Sequence, residues 1–223
     1  MKDEVSGSIP DIGSMNFIQR YLPRGRRTVF FFTLFYIFAF SIGFLIGGNY
    51  EFVIYTAVML GATFGALYVL RDLEIPSGFL WALSGVGVLH MLGGGVHVNG
   101  DRLYGLILYP LYISSTDPGL AIFRYDQLVH ILGYGIIAAC IHYLLRRSNP
   151  EGDPVIRALI TVFITMGLGS LNEMAEFAAT LVLPSTGVGD YSNTLLDLTS
   201  NTLGAIVAVA GFESYISLKK RSK

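Results

Sequence analysis

Apolar residues come in long blocks with short polar breaks between them. Six such blocks, at 28–47, 50–70, 79–98, 125–145, 155–183 and 194–218, are each long enough to cross a hydrocarbon core about 30 Å thick at about 1.5 Å per residue. Backbone groups in lipid must satisfy one another, so blocks of this length predict an all-α fold: a polytopic membrane bundle of six transmembrane helices over residues 28–218. The fifth block is longer than a crossing needs and is expected to tilt, break or project. One connection is out of character. Residues 99–124 contain LYGLILYPLYI, too apolar for a solvated loop and interrupted by Pro110, and predict a re-entrant or interfacial segment capping one face. Residues 1–27 predict a polar tail in which 15–22 forms a short surface helix, and 219–223 a basic tail. The first block is too long for a signal-peptide core, and no A-x-A-like site follows it, so it is expected to be retained as a spanning helix.

Composition agrees. The 223 residues are 52% hydrophobic and 14% charged, with a mean hydropathy of +0.57, whereas soluble domains carry about 25% charged residues. The net charge of −1 matters less than where the cations fall. With the N-terminus inside, 13 of the 15 Lys and Arg residues face the cytoplasm, and only Arg102 and Arg124 face outward. The positive-inside rule therefore predicts cytoplasmic N- and C-termini, in the plasma membrane. The basic residues are explained by topology, so nucleic-acid binding is not indicated. The one cysteine, Cys140, lies in an apolar block, forms no internal disulfide and is expected to be packing. Gly43 with Gly47 and Gly61 with Gly65 have small-xxx-small spacing, read as ordinary helix packing rather than a dimer face. There is no internal repeat clear enough to suggest inverted halves.

Against this background the ionisable residues stand out, since each costs roughly 2.5–3.5 kcal/mol near the centre of a spanning helix. The fourth block carries Asp126 at its outer start, and His130 lies one turn deeper on the same face. The fifth carries Glu173 and Glu176 near its outer end, and the sixth carries Asp197 and Asn201 near its outer start. The third places His97 at its outer end and His90 about two turns deeper, with Gly93, Gly94 and Gly95 between. Four segments thus deliver polar side chains to one depth, and a single outward-facing cavity is expected. Asp126, His130, Glu173, Glu176 and Asp197 are the candidate catalytic residues, with Arg124, Asp190 and Asn201 as candidate substrate contacts. So many carboxylates beside one arginine cannot all stay ionised in a poorly solvated site, so either some are protonated or a metal cation sits among them. A divalent cation would find His97, His130, Glu173, Glu176 and Asp197 as ligands, a set of imidazole and carboxylate without thiolate that suits Zn, Mn or Fe, while its all-oxygen subset suits Mg or Ca. Other polar residues have plainer readings. His90 reads as a structural hydrogen-bonder and His142, beside Arg146, as interfacial. Glu213 is expected to pair with Lys219 or Lys220, and Asp190 can cap the helix that follows.

The elements LHMLGGGVHV, FRYDQLVHILGYG, LNEMAEF and GDYSNTLLDLTSNTLGA, in that order over residues 79–205, resemble the YjdF-like integral membrane proteins and, more distantly, the VanZ-like superfamily. The matching positions are His90 and the glycines after it, Asp126 and His130, Glu173 and Glu176, and Asp197 with Gly204. Asn193 departs from the pattern, in which an acid is often found. The resemblance implies a polytopic membrane protein with an outward-facing polar site. It does not imply a reaction.

Three classes of function stay open. A metal-dependent hydrolase would activate water on the cation, use a remaining carboxylate to move the proton, and take a lipid or envelope precursor. A proton- or cation-coupled transporter would use the intramembrane acids as ion sites, although they cluster near one face and the inner halves of the helices read as almost purely apolar. A lipid-binding accessory protein would use the cavity alone. No Walker loop, G-x-S-x-G, Rossmann fingerprint or H-E-x-x-H is present, and the oligomeric state is not legible.

Overall fold

A computed structural model describes residues 21–222 except 115, 116, 184, 185, 188 and 190, with side chains at all of these but 24 and 111–122. Asp190 and the surface helix expected at 15–22 therefore lie wholly or largely outside the described residues. Among the described residues six helices are long and apolar enough to span a membrane. These are α1 (Arg24–Ile46), α2 (Tyr50–Val69), α3 (Ser77–Gly95), α4 (Tyr125–Ser148), α5 (Pro154–Val182) and α6 (Tyr191–Arg221). α5 starts where Asp153 accepts hydrogen bonds from the Val155 and Ile156 amides, at 2.8 and 2.9 Å, with Pro154 in the first turn. It runs unbroken for 29 residues, about 43 Å. α6 runs on through Lys219, Lys220 and Arg221, cations at the negative end of the helix dipole.

The fold is turned inside out relative to a soluble bundle. Phe35 is 71% exposed and Ile46 85%, while His142, Thr161, Thr165 and Asn201 are all 0% exposed. Apolar rings on the surface cost nothing against lipid, whereas polar side chains there would. The helices pack in two groups. α1 lies against α2 and α3, around Tyr36, Ile37, Phe44, Phe52 and Met91. α4, α5 and α6 pack on one another, and α3 meets α4 between the groups.

The tightest contact is α4 on α6. A Cβ on Gly204 would stand 2.3 Å from the Ile131 carbonyl oxygen, and one on Gly135 would stand 3.2 Å from that of Gly204. Backbone meets backbone here, and no side chain can yield. Gly43, Gly61 and Gly65 face open space, so these members of the small-xxx-small pairs do not mediate helix contacts within the chain. Gly204→Ala is expected to lower the thermal midpoint in detergent, at a cost of roughly 1–3 kcal/mol for overpacking. Gly61→Ala should leave it unchanged or slightly raised. Parallel melts of the two variants check this.

Between α3 and α4 the chain forms β-hairpins. β1 (His97–Val98) pairs with β2 (Asp101–Arg102), and β3 (Ile107–Ser114) pairs antiparallel with β4 (Asp117–Arg124). Tyr, Ile and Leu favour strands. Pro110, which has no N–H to donate, sits in β3 where the register shifts between Tyr109 and Tyr112. The third spanning block thus ends at Gly95 rather than residue 98, because the chain turns into strand there. The hairpins mark one end of the bundle. Arg71, Arg146, Arg147, Arg157 and the last turn of α6 mark the other, basic end.

Candidate functional site

At the hairpin end the first two turns of α4 and α6 face the end of α5. Asp197, 1% exposed, is held from two directions. Gln127 Nε2 donates to Oδ1 at 2.8 Å and Asn193 Nδ2 to Oδ2 at 2.7 Å. Gln127 is itself fixed by the Arg124 backbone N–H, which donates to its Oε1 at 3.0 Å. His130 Nε2 lies 3.5 Å from Asp126 Oδ1 and 4.0 Å from Asp197 Oδ1. Its Nδ1 lies 2.8 Å from Asn201 Oδ1. An amide oxygen can only accept, so Nδ1 carries a proton, and Nε2 is the nitrogen that faces the carboxylates. On α5, Asn172 Nδ2 donates to Glu176 Oε1 at 2.9 Å and to Glu173 Oε1 at 3.4 Å.

Two triads share the imidazole. The ligand atoms of Asp126, His130 and Asp197 all lie within 4.8 Å of one another, and so do those of His130, Glu173 and Glu176. Glu173 is 7% exposed, and its Oε2 has no hydrogen-bond partner among the described residues. A buried acceptor left in this state costs about 1–3 kcal/mol, more if charged. Imidazole and carboxylates at this spacing can bind a divalent cation, and the Asn201 carbonyl oxygen takes the far N–H of the histidine, where a carboxylate, backbone carbonyl or water usually supports such a ligand.

The site opens on a cavity of about 620 Å³ between the two helix groups. Its walls change character along their length. Asp126, His130, Asn172 and Glu176 stand at the hairpin end, and Met59, Leu83, Val86 and Ile137 lie deeper in the bundle. The hairpin end is closed by a clasp. Glu51, 5% exposed, takes Arg102 Nη1 at 2.5 Å and the Gly187 N–H at 3.0 Å on each oxygen. Arg102 Nη2 also donates to Asn49 Oδ1 at 3.3 Å. The clasp ties α2, β2 and the α5–α6 loop together. Beside it the Tyr104 hydroxyl meets His90 Nδ1. Burial, together with the nearby Asp126 and Glu176 carboxylates, holds the Tyr104 phenol well above its ordinary pKa, so it stays neutral.

Asp126, His130, Glu173, Glu176, Asp197 and Asn201 therefore come together, and Arg124 stands at the N-cap of α4. His97 does not join them. It is exposed on β1, because α3 ends before it and the strand turns it away from the triads. Two plainer expectations are also corrected. His142 is fully buried rather than interfacial, and Glu213 meets His142, Arg146 and Arg157, the lysines having run on into the exposed last turn of α6. Gln127, Asn172 and the Glu51–Arg102 clasp were not foreseen. Asn172 lies four residues before Glu176, as Asn193 lies four before Asp197, and that amide–carboxylate spacing on one helix face was the available signal.

The architecture defines a multi-pass α-helical membrane protein that encloses an acid–histidine cluster at one end of its bundle. The chain belongs to the family described as a predicted membrane protein, DUF2238, whose profile matches residues 28–217, consistent with the YjdF-like resemblance of its motifs. No curated protein and no solved structure matches it.

Proposed function

We propose that the cluster holds a divalent cation and that the protein uses it to hydrolyse a lipid or envelope precursor at the outer side of the plasma membrane. The carrying observation is Glu173, whose carboxylate stands in a triad with His130 and Glu176 and whose buried Oε2 has no partner among the described residues. A cation there would satisfy it. His130 Nε2, Glu173 and Glu176, or Asp126 and Asp197 across the imidazole, would be the ligands. The cation would supply the Lewis acid that lowers the pKa of bound water. A carboxylate not engaged in binding would take the proton. Asn201 orients the imidazole, and Gln127 and Asn193 fix Asp197. A polar end above an apolar depth suits an amphiphile, its head at the cluster and its chain along Met59, Leu83, Val86 and Ile137. The 13-to-2 division of cations supports an outward-facing hairpin end.

Proteoliposomes made with bacterial polar lipids and loaded with Zn or Mn are expected to release a water-soluble head group, seen by mass spectrometry. Glu176→Gln and chelated protein should release none. Unchanged lipids in the cation-loaded wild type would remove the hydrolase reading. A transporter is the second reading, favoured by buried polar residues deep in the basic half of the bundle, where the sequence suggested apolar side chains alone.

A further inference from the structure

We infer that the cavity is entered from the side, through a portal between α2 and α5 that admits a membrane lipid from the leaflet at the hairpin end. It rests on the lipid reading of the cavity given above, and needs neither the cation nor the reaction. Helix packing sets the place of the portal. α2 lies on α1, α1 on α3, α3 on α4 and α4 on α5, so these helices form an arc with α2 and α5 at its ends. α6 packs behind, on α4 and α5. The cavity lies within the arc, lined by α2, α3, α4 and α5, and among the described residues the two end helices make no extended contact with one another.

On the α3 side of α2 the wall is filled. Phe52 and Tyr55 set their rings against His90 at 5.9 and 6.4 Å, and a Cβ on Gly87 would stand 3.2 Å from the Met59 methyl. Between α2 and α5 the link lies at the hairpin end. Glu51, in the first turn of α2, takes the Gly187 N–H of the α5–α6 loop at 3.0 Å on each oxygen. Below that bond, Tyr55, Met59 and Ala62 of α2 and Asn172 and Glu176 of α5 line the cavity. Ala62 is exposed, and so is Gly61 beside it, where a Cβ would meet nothing within 4 Å. Leu168, one turn from Asn172 on the same face of α5, is exposed as well. The rim of the opening is therefore apolar, small on the α2 side, and set within two spanning segments. An opening at that depth is bathed by lipid chains rather than by water.

The dimensions require such an opening. From Tyr55 to Ala62 on α2, and from His130 to Ile137 on α4, the cavity runs about 10 Å below the cluster. The chain of a lipid fills one leaflet of hydrocarbon, about 15 Å. A lipid with its head beside Asp126, His130 and Glu176 is therefore longer than the cavity is deep. The clasp covers the hairpin end, so the rest of the chain has to pass out sideways, and the ends of the arc are where the wall is missing. A cavity of about 620 Å³ is the size that takes a drug-sized ligand, a head group and part of one chain, with the remainder left in the bilayer.

The test is photolabelling in vesicles of phosphatidylethanolamine doped with an analogue that carries a diazirine in its acyl chain, with adducts mapped by mass spectrometry. Wild type should be labelled at Leu83 and Val86, on the α3 wall across the cavity from the portal, and at the lipid-facing Phe35 of α1. Ala62→Trp, which fills the mouth, should lose the Leu83 and Val86 adducts and keep the one at Phe35. Gly61→Trp, which places the same ring beside the mouth but outside the lining, should be labelled like wild type. Both substitutions fall at exposed positions, and matched thermal midpoints show that both variants fold. The two failures are distinct. Leu83 and Val86 adducts that persist in Ala62→Trp would overturn the portal and leave a lipid that reaches the cavity by another route. Wild type labelled at Phe35 but at neither cavity residue would overturn the portal and the lipid reading together.

Discussion

Glu173→Leu is expected to bind divalent cations at least about 100-fold more weakly than wild type and yet to melt at a higher temperature when both are stripped of metal. The affinity loss follows from removing a direct ligand, since even outer-shell partners are worth about 10–100-fold. The gain in stability follows from the orphaned Oε2, whose burial costs about 1–3 kcal/mol, which an apolar side chain of similar size does not incur. A residue that served only the fold would show the opposite sign. Cation added to wild type should raise its midpoint by mass action, by about 2.7 kcal/mol at 100 times the dissociation constant, and should leave the variant unmoved. Titration calorimetry and melts of the same preparations read both effects. Asn201→Leu, which frees Nδ1 of His130, should weaken binding by about 10–100-fold.

Arg102→Ala should open the hairpin end of the cavity. Glu51 would remain buried with its charge partner gone, and breaking a buried pair in this way costs about 3–5 kcal/mol. Because Arg102 is a third exposed, the lower end of that range applies. The loss should be local: faster amide exchange at Gly187 and in β2, with the α4–α6 contact still protected. The double variant Arg102→Ala, Glu51→Gln should recover most of the protection, because a neutral amide no longer needs the cation. Exchange mass spectrometry separates these outcomes, and uniform loss across all six helices would show the clasp to be part of the core.

Hydropathy alone carried the six spans, because lipid imposes the same length and apolarity on each. Helix-face arithmetic carried the approach of Asp126, His130, Glu173, Glu176 and Asp197, since each sits within the last or first turns of its span. What sequence could not carry depends on neighbours distant along the chain. The clasp joins residues 51, 102 and 187, and nothing near Glu51 announces that a guanidinium from a hairpin will cover it. His97 was misplaced for a related reason: α3 stops at Gly95 and the chain becomes strand, so a residue counted as one more helical position faces outward instead. The basic half of the bundle looked apolar because its few polar side chains, Thr161 and Thr165 among them, are scattered singly through apolar sequence, and because His142 read as interfacial. Their burial along one row becomes visible only when α4 and α6 are laid against α5.

The central claim is that the imidazole and carboxylates of α4, α5 and α6 hold a metal. Elemental analysis of protein purified without chelators tests it most directly. The account predicts a stoichiometric divalent cation in wild type and its loss in both His130→Ala and Glu173→Leu, each shown to be folded. Folded wild type that carries no divalent metal, and takes up none when Zn, Mn or Fe is added, would contradict it.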